Sequence, residues 1–325
     1  MGNVQASTAP PGSPSDFAPP PPPPPEGEKK DAIVQDLPEN PGSLEDLHKK
    51  VKDLMPICFE GARVIVNKGL SNNFQVSHTL NMSNLTPKGY RFGATYVGKT
   101  HYTPEDASPI LMGDIDPSGN LNAQCVSQLS RRLRGKMVAQ VQDNKFVTTQ
   151  FSGEYTGINY TATLSAGNLD FKSRSGVLVA QYLQNIQPRV ALGAEYAYQY
   201  APQIPGGGVS VLSLAGRYTG EQCVIAGTLG MVSAHASYYL RTNSSTQVGV
   251  EVETNYRIGD SVATLAYQMD LPKGNMVFRG MVDSTWTVGA VMEKRLAPLP
   301  FTFCMSAMLN HVKGSSRIGL GLIIG

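Results

Sequence analysis

The side chains best suited to metal binding or nucleophilic catalysis are scattered along this sequence. Its histidines show no spacing typical of metal ligands: His48, His78, His101, His235 and His311. Its cysteines lack the paired spacing of a zinc site or a disulfide framework: Cys58, Cys125, Cys223 and Cys304. No serine, histidine and carboxylate stand out as a catalytic set. The sequence therefore predicts no enzyme activity and no cofactor.

One segment superficially resembles a calcium-binding loop. It runs from Asp114 to Gly119, with Asp116 in the third position. A calcium loop of this type needs a bidentate glutamate at position twelve, which is Cys125 here, and no flanking helices are predicted. We therefore interpret the segment as a hairpin turn.

The composition favours short strands over helices. The 325 residues are 41% apolar, whereas only 16% are charged, well below the roughly one quarter usual for soluble globular proteins. No run approaches the ~18 to 20 apolar residues that a spanning helix needs, and mean hydropathy is -0.17. A β-barrel can span a membrane without such an apolar run, because its strands alternate apolar and polar residues. The net charge of +2 provides no basic surface typical of nucleic-acid binding.

The N-terminal region divides into an arm and a helix. Residues 1–41 are rich in proline, including the run Pro19–Pro25, which predicts an extended, disordered arm. The first 25 residues contain no lysine, arginine or apolar core, so we expect no secretory signal or arginine-rich transit peptide. Over 42–57 we predict one amphipathic helix, capped by Ser43 and ended by Pro56. Its apolar positions recur at helical spacing: Leu44, Leu47, Val51 and Leu54.

From about residue 60 onward, apolar and polar residues alternate with a period of two, and turn residues recur every 10 to 15 positions. Between 246 and 256, Val248, Val250 and Val252 share one face, whereas Glu251 and Glu253 lie on the other. We predict about nineteen strands, beginning near 61, 73, 90, 109, 120, 134, 146, 159, 176, 189, 209, 222, 234, 246, 261, 275, 286, 300 and 316.

These strands predict an all-β fold in which residues 58–325 form one transmembrane antiparallel β-barrel. An odd strand number requires the first and last strands to pair in parallel. A soluble β-sandwich also alternates in this way and remains an alternative at this point.

The chain ends on a strand with a sorting-signal pattern. Arg317 is followed by Gly319, and Leu322 and Ile324 supply the hydrophobic positions. This pattern resembles the β-signal that directs barrel proteins into the mitochondrial outer membrane.

A resemblance to a known family rests on several longer motifs. They are Asn67-Lys68-Gly69-Leu70-Ser71-Asn72 with Phe74-Gln75-Val76, Gly113-Asp114-Ile115-Asp116 with Ser118–Gln124, Asp270-Leu271-Pro272-Lys273, Val282-Asp283-Ser284 with Trp286, and Glu293-Lys294 before Pro298-Leu299-Pro300. Together with Met1-Gly2-Asn3-Val4 and the proline-rich arm, they resemble the pore-forming subunit of the TOM complex, the translocase of the outer mitochondrial membrane, in the eukaryotic porin superfamily.

The resemblance implies a nineteen-stranded barrel with the N-terminal helix inside it and both termini facing the intermembrane space. It implies a protein-conducting channel for precursor proteins in the mitochondrial outer membrane. The partners it implies are presequences, a central single-helix receptor, small single-helix subunits and a second copy of the chain in a homodimer or higher assembly. Membrane phospholipid is a further expected partner.

Projecting the alternation onto this barrel gives a candidate path for presequences. The carboxylates predicted to face the lumen are Glu154, Glu195, Glu251, Glu253, Asp270, Asp283 and Glu293. Such a set can attract basic targeting segments electrostatically. Alternatively these charges only hydrate the lumen, because Arg189, Arg217, Arg279 and Arg317 share the inward face. Lys68 and Lys294, at comparable strand ends near the closing seam, are candidates for lipid headgroup or subunit contacts.

Two other functions remain open at this point. A voltage-dependent anion or metabolite channel would share the strand number, the fold and the β-signal. The proline-rich arm and the motifs quoted above favour the import pore instead. The other alternative is a soluble β-rich binding domain.

Overall fold

The computed structural model describes residues 40–83, 88–103, 106–143, 145–170, 175–202 and 206–325. The predicted disordered arm lies outside this range except for its last two residues. The remaining chain forms a closed barrel of nineteen strands. In chain order its elements are α1 (Lys49–Lys52), β1 (Gly61–Ser71), β2 (Phe74–Met82), β3 (Gly89–Thr103), β4 (Asp106–Ile115), β5 (Leu121–Ser130), β6 (Leu133–Gln142), β7 (Lys145–Thr156), β8 (Tyr160–Asp170), β9 (Ser175–Gln187), β10 (Val190–Tyr200), β11 (Gly208–Thr219), β12 (Cys223–Gly230), β13 (Ser233–Arg241), β14 (Thr246–Asn255), β15 (Asp260–Leu271), a 3-10 turn (Pro272–Gly274), β16 (Met276–Asp283), β17 (Thr287–Arg295), β18 (Phe301–Asn310) and β19 (Ser315–Ile324).

Each strand pairs antiparallel with the next, and the barrel closes where β1 meets β19. These two strands run parallel, in register from Gly61 opposite Gly319 to Val66 opposite Ile324. The predicted count of nineteen and the parallel closure are thus confirmed. The predicted strand starts also agree, with the largest difference at β4, predicted near 109 and observed from Asp106.

The outer wall is apolar because the two-residue period places one face of every strand outside. In β10, Leu192 and Tyr196 are 49% and 48% exposed on the outside, whereas the inward Ala191 is 2% exposed. Soluble monomers rarely expose apolar surface this extensively, so the wall fits the lipid-facing band of a membrane barrel. No described helix is long and apolar enough to cross a membrane.

The segment of residues 40–60, here called the inner segment, lies against the inside of this wall. Helical turns cover its central part, although only α1 is regular α-helix. Most backbone bonds there join residues three apart, such as Asp46 N–H to Ser43 C=O at 3.2 Å. Ser43 Oγ also accepts a bond from Asp46 N–H at 3.2 Å. The residues predicted as one helix over 42–57 therefore form a tighter, less regular set of turns.

Apolar contacts and hydrogen bonds hold the inner segment in place. Leu44 and Leu47 belong to a buried cluster with wall residues of β9 to β12: Leu183, Ala191, Ala215 and Ala226. Small alanines on the wall leave room for the leucines. Arg217 Nη2 donates to Pro41 C=O at 2.6 Å, and Asn40 Nδ2 donates to Gly157 C=O at 2.9 Å.

Both chain ends of the described barrel lie on the same side. Asn40 is bound at the turn between β7 and β8. The Gly325 N–H donates to Pro300 C=O, at 3.0 Å, in the turn between β17 and β18. Both turns follow odd-numbered strands, so they belong to one rim of the barrel.

The segment that superficially resembles a calcium loop is the turn between β4 and β5, as predicted. Asn120 N–H donates to Asp116 Oδ1 at 2.9 Å, and Gly119 has a φ of +84°. The Asn120 side chain and backbone lower the pKa of Asp116, since their hydrogen bonds favour its ionised form. These contacts make Asp116 a turn-stabilising residue.

Candidate functional site in the barrel lumen

The predicted lumen carboxylates lie on strands distributed around much of the barrel. Glu154 is on β7, Glu195 on β10 and Glu251 on β14, and the remaining four are on β14 to β17. They form separate groups with different partners instead of one continuous acidic strip.

Two of these carboxylates accept hydrogen bonds from neutral amides. Glu195 Oε2 accepts from Gln181 Nε2 at 2.8 Å. Asp270 Oδ1 accepts from Gln268 Nε2 at 3.0 Å. In the part of the chain that the structure describes, neither carboxylate has a basic group within 4.0 Å. Their negative charges are therefore held in position without being neutralised.

Glu293 is part of a network that crosses β15 to β17. Arg279 Nη1 contacts Glu293 Oε1 at 3.2 Å, and Arg279 Nε donates to Gln268 Oε1 at 3.1 Å. Because Gln268 also binds Asp270, the two acidic residues are joined through one glutamine and one arginine. This network fixes the side chains across three neighbouring strands.

Glu251 and Glu253 differ strongly in exposure although they share a strand face. Glu253 has a side chain that is 61% exposed, whereas the Glu251 side chain is 5% exposed. Both lie beside His235 on β13. Only Glu253 of the pair is thus open to the lumen.

Glu154 lies where the wall meets the inner segment. It lines a cavity of about 200 Å³ together with Glu45 and Asp46 of that segment and Arg134 and Lys136 of β6. The cavity brings charges of both signs together.

Asp283 is the last residue of β16 and binds the turn that follows it. Its Oδ1 accepts from Thr285 Oγ1 at 2.6 Å and from Thr287 N–H at 2.8 Å. These bonds close the tight connection from β16 to β17, in which Trp286 has a φ of +57°. Asp283 therefore has a structural partner set independent of any substrate.

The arginines that share the inward face are engaged with neighbours. Arg189 pairs with Glu221 at 3.3 Å, and Arg317 Nε lies 3.9 Å from Glu60. Arg217 donates to a carbonyl of the inner segment, and Arg279 binds Glu293. These four arginines therefore have hydrogen-bond or ion-pair partners, whereas Glu195 and Asp270 have no basic group within 4.0 Å among the described residues.

The predicted sorting residues lie at the closing seam. Leu322 is opposite Val64 and Ile324 opposite Val66, so the hydrophobic pair lies in register with β1. On the inward side, Gly319 and Gly321 pack against Phe59 of the inner segment. Because glycine has no side chain, these two residues leave space for the Phe59 ring. The sequence pattern alone does not show this steric role.

Lys68 and Lys294 lie near the ends of two strands that run in the same direction. Lys68 is opposite Val76, and Lys294 is opposite Met276 and Phe303. The residues next to each lysine in sequence face inward, so both lysines lie on the outer face near one rim. The strands β18 and β19 separate them.

Sequence reasoning missed the role of His48. Its ring stacks on His235 with 3.7 Å between centroids, and its Nδ1 lies 2.7 Å from Ser237 Oγ. A sequence signal existed, because His48 falls within the apolar spacing of Leu47 and Val51.

Comparisons with known proteins agree with this architecture. A profile of the eukaryotic porin family matches residues 40–319. "Mitochondrial import receptor subunit TOM40 homolog 2" of Drosophila melanogaster is 50% identical over 341 aligned positions, covering 100% of both chains. The TOM40 homolog of Xenopus laevis is 46% identical over 100% of both chains. That of Homo sapiens is 48% identical, covering 92% of this chain and 82% of the human one.

Proposed function

We propose that this chain, which belongs to the eukaryotic porin family and to its group of TOM40 homologues, conducts precursor proteins through the mitochondrial outer membrane. Three features support a conducting role. The barrel is closed, its outer wall is apolar, and its inward face carries charged and amide side chains. The relatives are named as import subunits, which fits a channel without an enzymatic step.

The observation that carries the proposal is a pair of inward carboxylates that no described basic group neutralises. Glu195 and Asp270 are held by glutamines and lie on the inward face of β10 and β15. Inward carboxylates without a basic partner attract basic segments over several ångströms and release them again, because none is buried in a tight pocket. A pore for many sequences needs such weak, repeated binding.

The finer assignments belong to the same proposal. Both described chain ends lie on one rim, and we assign that rim to the side of the intermembrane space. Lys68 and Lys294 lie near a rim on the outer face, where a lysine reaches lipid phosphates while its stem stays in the apolar layer. We assign them to phospholipid or subunit contacts. The expected protein partners are a single-helix central receptor, small single-helix subunits and a second copy of the chain.

Charge reversal in the lumen tests the presequence path. In the combined variant Glu195→Lys and Asp270→Lys, we expect import of a precursor with a basic presequence to slow by roughly an order of magnitude, because electrostatic attraction becomes repulsion. The measurement is the initial import rate in isolated mitochondria whose endogenous pore subunit has been replaced by the variant.

Two carboxylates at the turns provide the matched control. Glu221 lies in the turn between β11 and β12, and the exposed Asp143 lies in the turn between β6 and β7. Their reversal to lysine should leave the import rate within about twofold of wild type. Equal import rates in the lumen variant and this control would show that the inward carboxylates only hydrate the pore.

A further inference from the structure

A compact group of ligating side chains lies beneath the inner segment on β13 and β14. His235 is directly opposite Glu253 in the strand register, and Glu251 precedes Glu253 by two residues on the same face. One nitrogen or oxygen atom from each of the three lies within 4.8 Å of those of the other two. The arrangement follows from the sheet, since residues two apart share a face and cross-strand partners are adjacent.

Two buried atoms in this group lack a hydrogen-bond partner among the described residues. They are Glu251 Oε1 and His235 Nε2. The two atoms contact each other, and neither has a hydrogen-bond partner in the part of the chain that the structure describes. Glu251 is only 4% exposed, and a buried carboxylate in this position is costly without a cation or a full set of donors.

His48 packs against this group, but its ring nitrogens are not available as metal ligands. Its Nδ1 contacts Ser237 Oγ at 2.7 Å and its Nε2 contacts Thr228 Oγ1 at 3.0 Å, so both ring nitrogens are engaged. Its ring covers the face of His235 at 3.7 Å between centroids. A ring held flat in this way restricts the orientation of His235, as neighbours of metal-binding histidines commonly do.

We infer that His235, Glu251 and Glu253 bind a single zinc-class divalent cation. The ligands would be His235 Nε2 and one carboxylate oxygen from each glutamate, with water from the lumen completing the coordination. A site with one imidazole and two carboxylates suits Zn²⁺, whereas Ca²⁺ and Mg²⁺ prefer oxygen ligands alone. The cation would join β13 to β14 directly below the inner segment. This function goes beyond protein conduction and does not depend on it.

Metal content tests the inference directly. The full chain, refolded in detergent and stripped with a chelator, is dialysed against Zn²⁺ and assayed by mass spectrometry of the metal. We expect one Zn²⁺ per chain, and a loss of affinity of at least about tenfold in His235→Ala and in Glu251→Gln. His311→Ala is the control, because His311 is exposed in the turn between β18 and β19. It should bind Zn²⁺ as wild type does.

A second measurement covers the case in which the variants do not fold. X-ray absorption of the zinc-loaded wild type should show one imidazole nitrogen among otherwise oxygen ligands, at about 2.0 to 2.2 Å. Absence of stoichiometric zinc, unchanged affinity in a folded His235→Ala variant, or a spectrum without imidazole would each overturn the inference. None of these results depends on protein import, so the proposed function is tested separately.

Discussion

Gly319→Ala is expected to destabilise the closing seam of the barrel. A Cβ at Gly319 would overlap the backbone oxygen of Phe59 and lie 2.6 Å from Cδ2 of its ring. Phe59 cannot easily withdraw, because its N–H donates to Ser306 Oγ at 2.9 Å and the Arg63 guanidinium lies 5.6 Å from its ring centroid. Overpacking of this kind costs about 1 to 3 kcal/mol.

The measurement is urea unfolding of the refolded protein in detergent, followed by the fluorescence of Trp286, the single tryptophan. The midpoint should fall in Gly319→Ala, and it should stay close to wild type in Gly167→Ala. Gly167 also lies within a strand and faces inward, yet an added Cβ there meets nothing within 4 Å. Equal midpoints in the two variants would contradict the steric role of Gly319.

Val51→Asp is expected to release the inner segment while the barrel stays closed. Val51 is 2% exposed, and its Cγ1 lies 3.0 Å from the position of a Cβ built on Gly249 of β14. A carboxylate buried there without a partner costs several kcal/mol. The wall does not depend on this contact, because β1 and β19 close it through their own ladder.

Hydrogen exchange of the segment, read by mass spectrometry, measures the effect. Protection of backbone amides in α1 and its flanking turns should fall at least about tenfold in Val51→Asp, since their bonds persist only while the segment is packed. Lys50→Asp introduces the same side chain at a neighbouring exposed position and should keep the protection. Unchanged exchange in Val51→Asp would show that the wall contacts do not hold the segment.

The fold was accessible from sequence because its main determinant is a local period. Alternation of apolar and polar residues assigned each strand a lipid face and a lumen face, and turn residues marked the strand ends. Leu192 and Ala191 illustrate the result, one exposed outside and the other buried inside. The odd strand number then required the parallel pairing of β1 with β19.

The site was less accessible because alternation predicts a face but not a partner. Glu251, Asp283 and Glu195 all point inward, yet one is buried beside His235, one closes a turn and one is held by a glutamine. These differences depend on strand register and on where the inner segment packs. Both are long-range properties that a two-residue period does not contain.

The inner segment shows the same limit. The spacing of Leu44, Leu47, Val51 and Leu54 predicted which face is buried, and all four are. It did not predict that mostly three-residue bonds would replace a regular α-helix. The contact between Phe59 and Gly319 joins residues 260 positions apart and has no local signal.

Single-channel recording in planar lipid bilayers tests the central claim most directly. The purified chain should form a water-filled pore that prefers cations, because the inward carboxylates of Glu195 and Asp270 have no basic group within 4.0 Å among the described residues. A basic presequence peptide should enter the lumen and block the current transiently. Anion preference without peptide blockade would contradict the account and favour a metabolite channel, and absence of any conductance would contradict the pore itself.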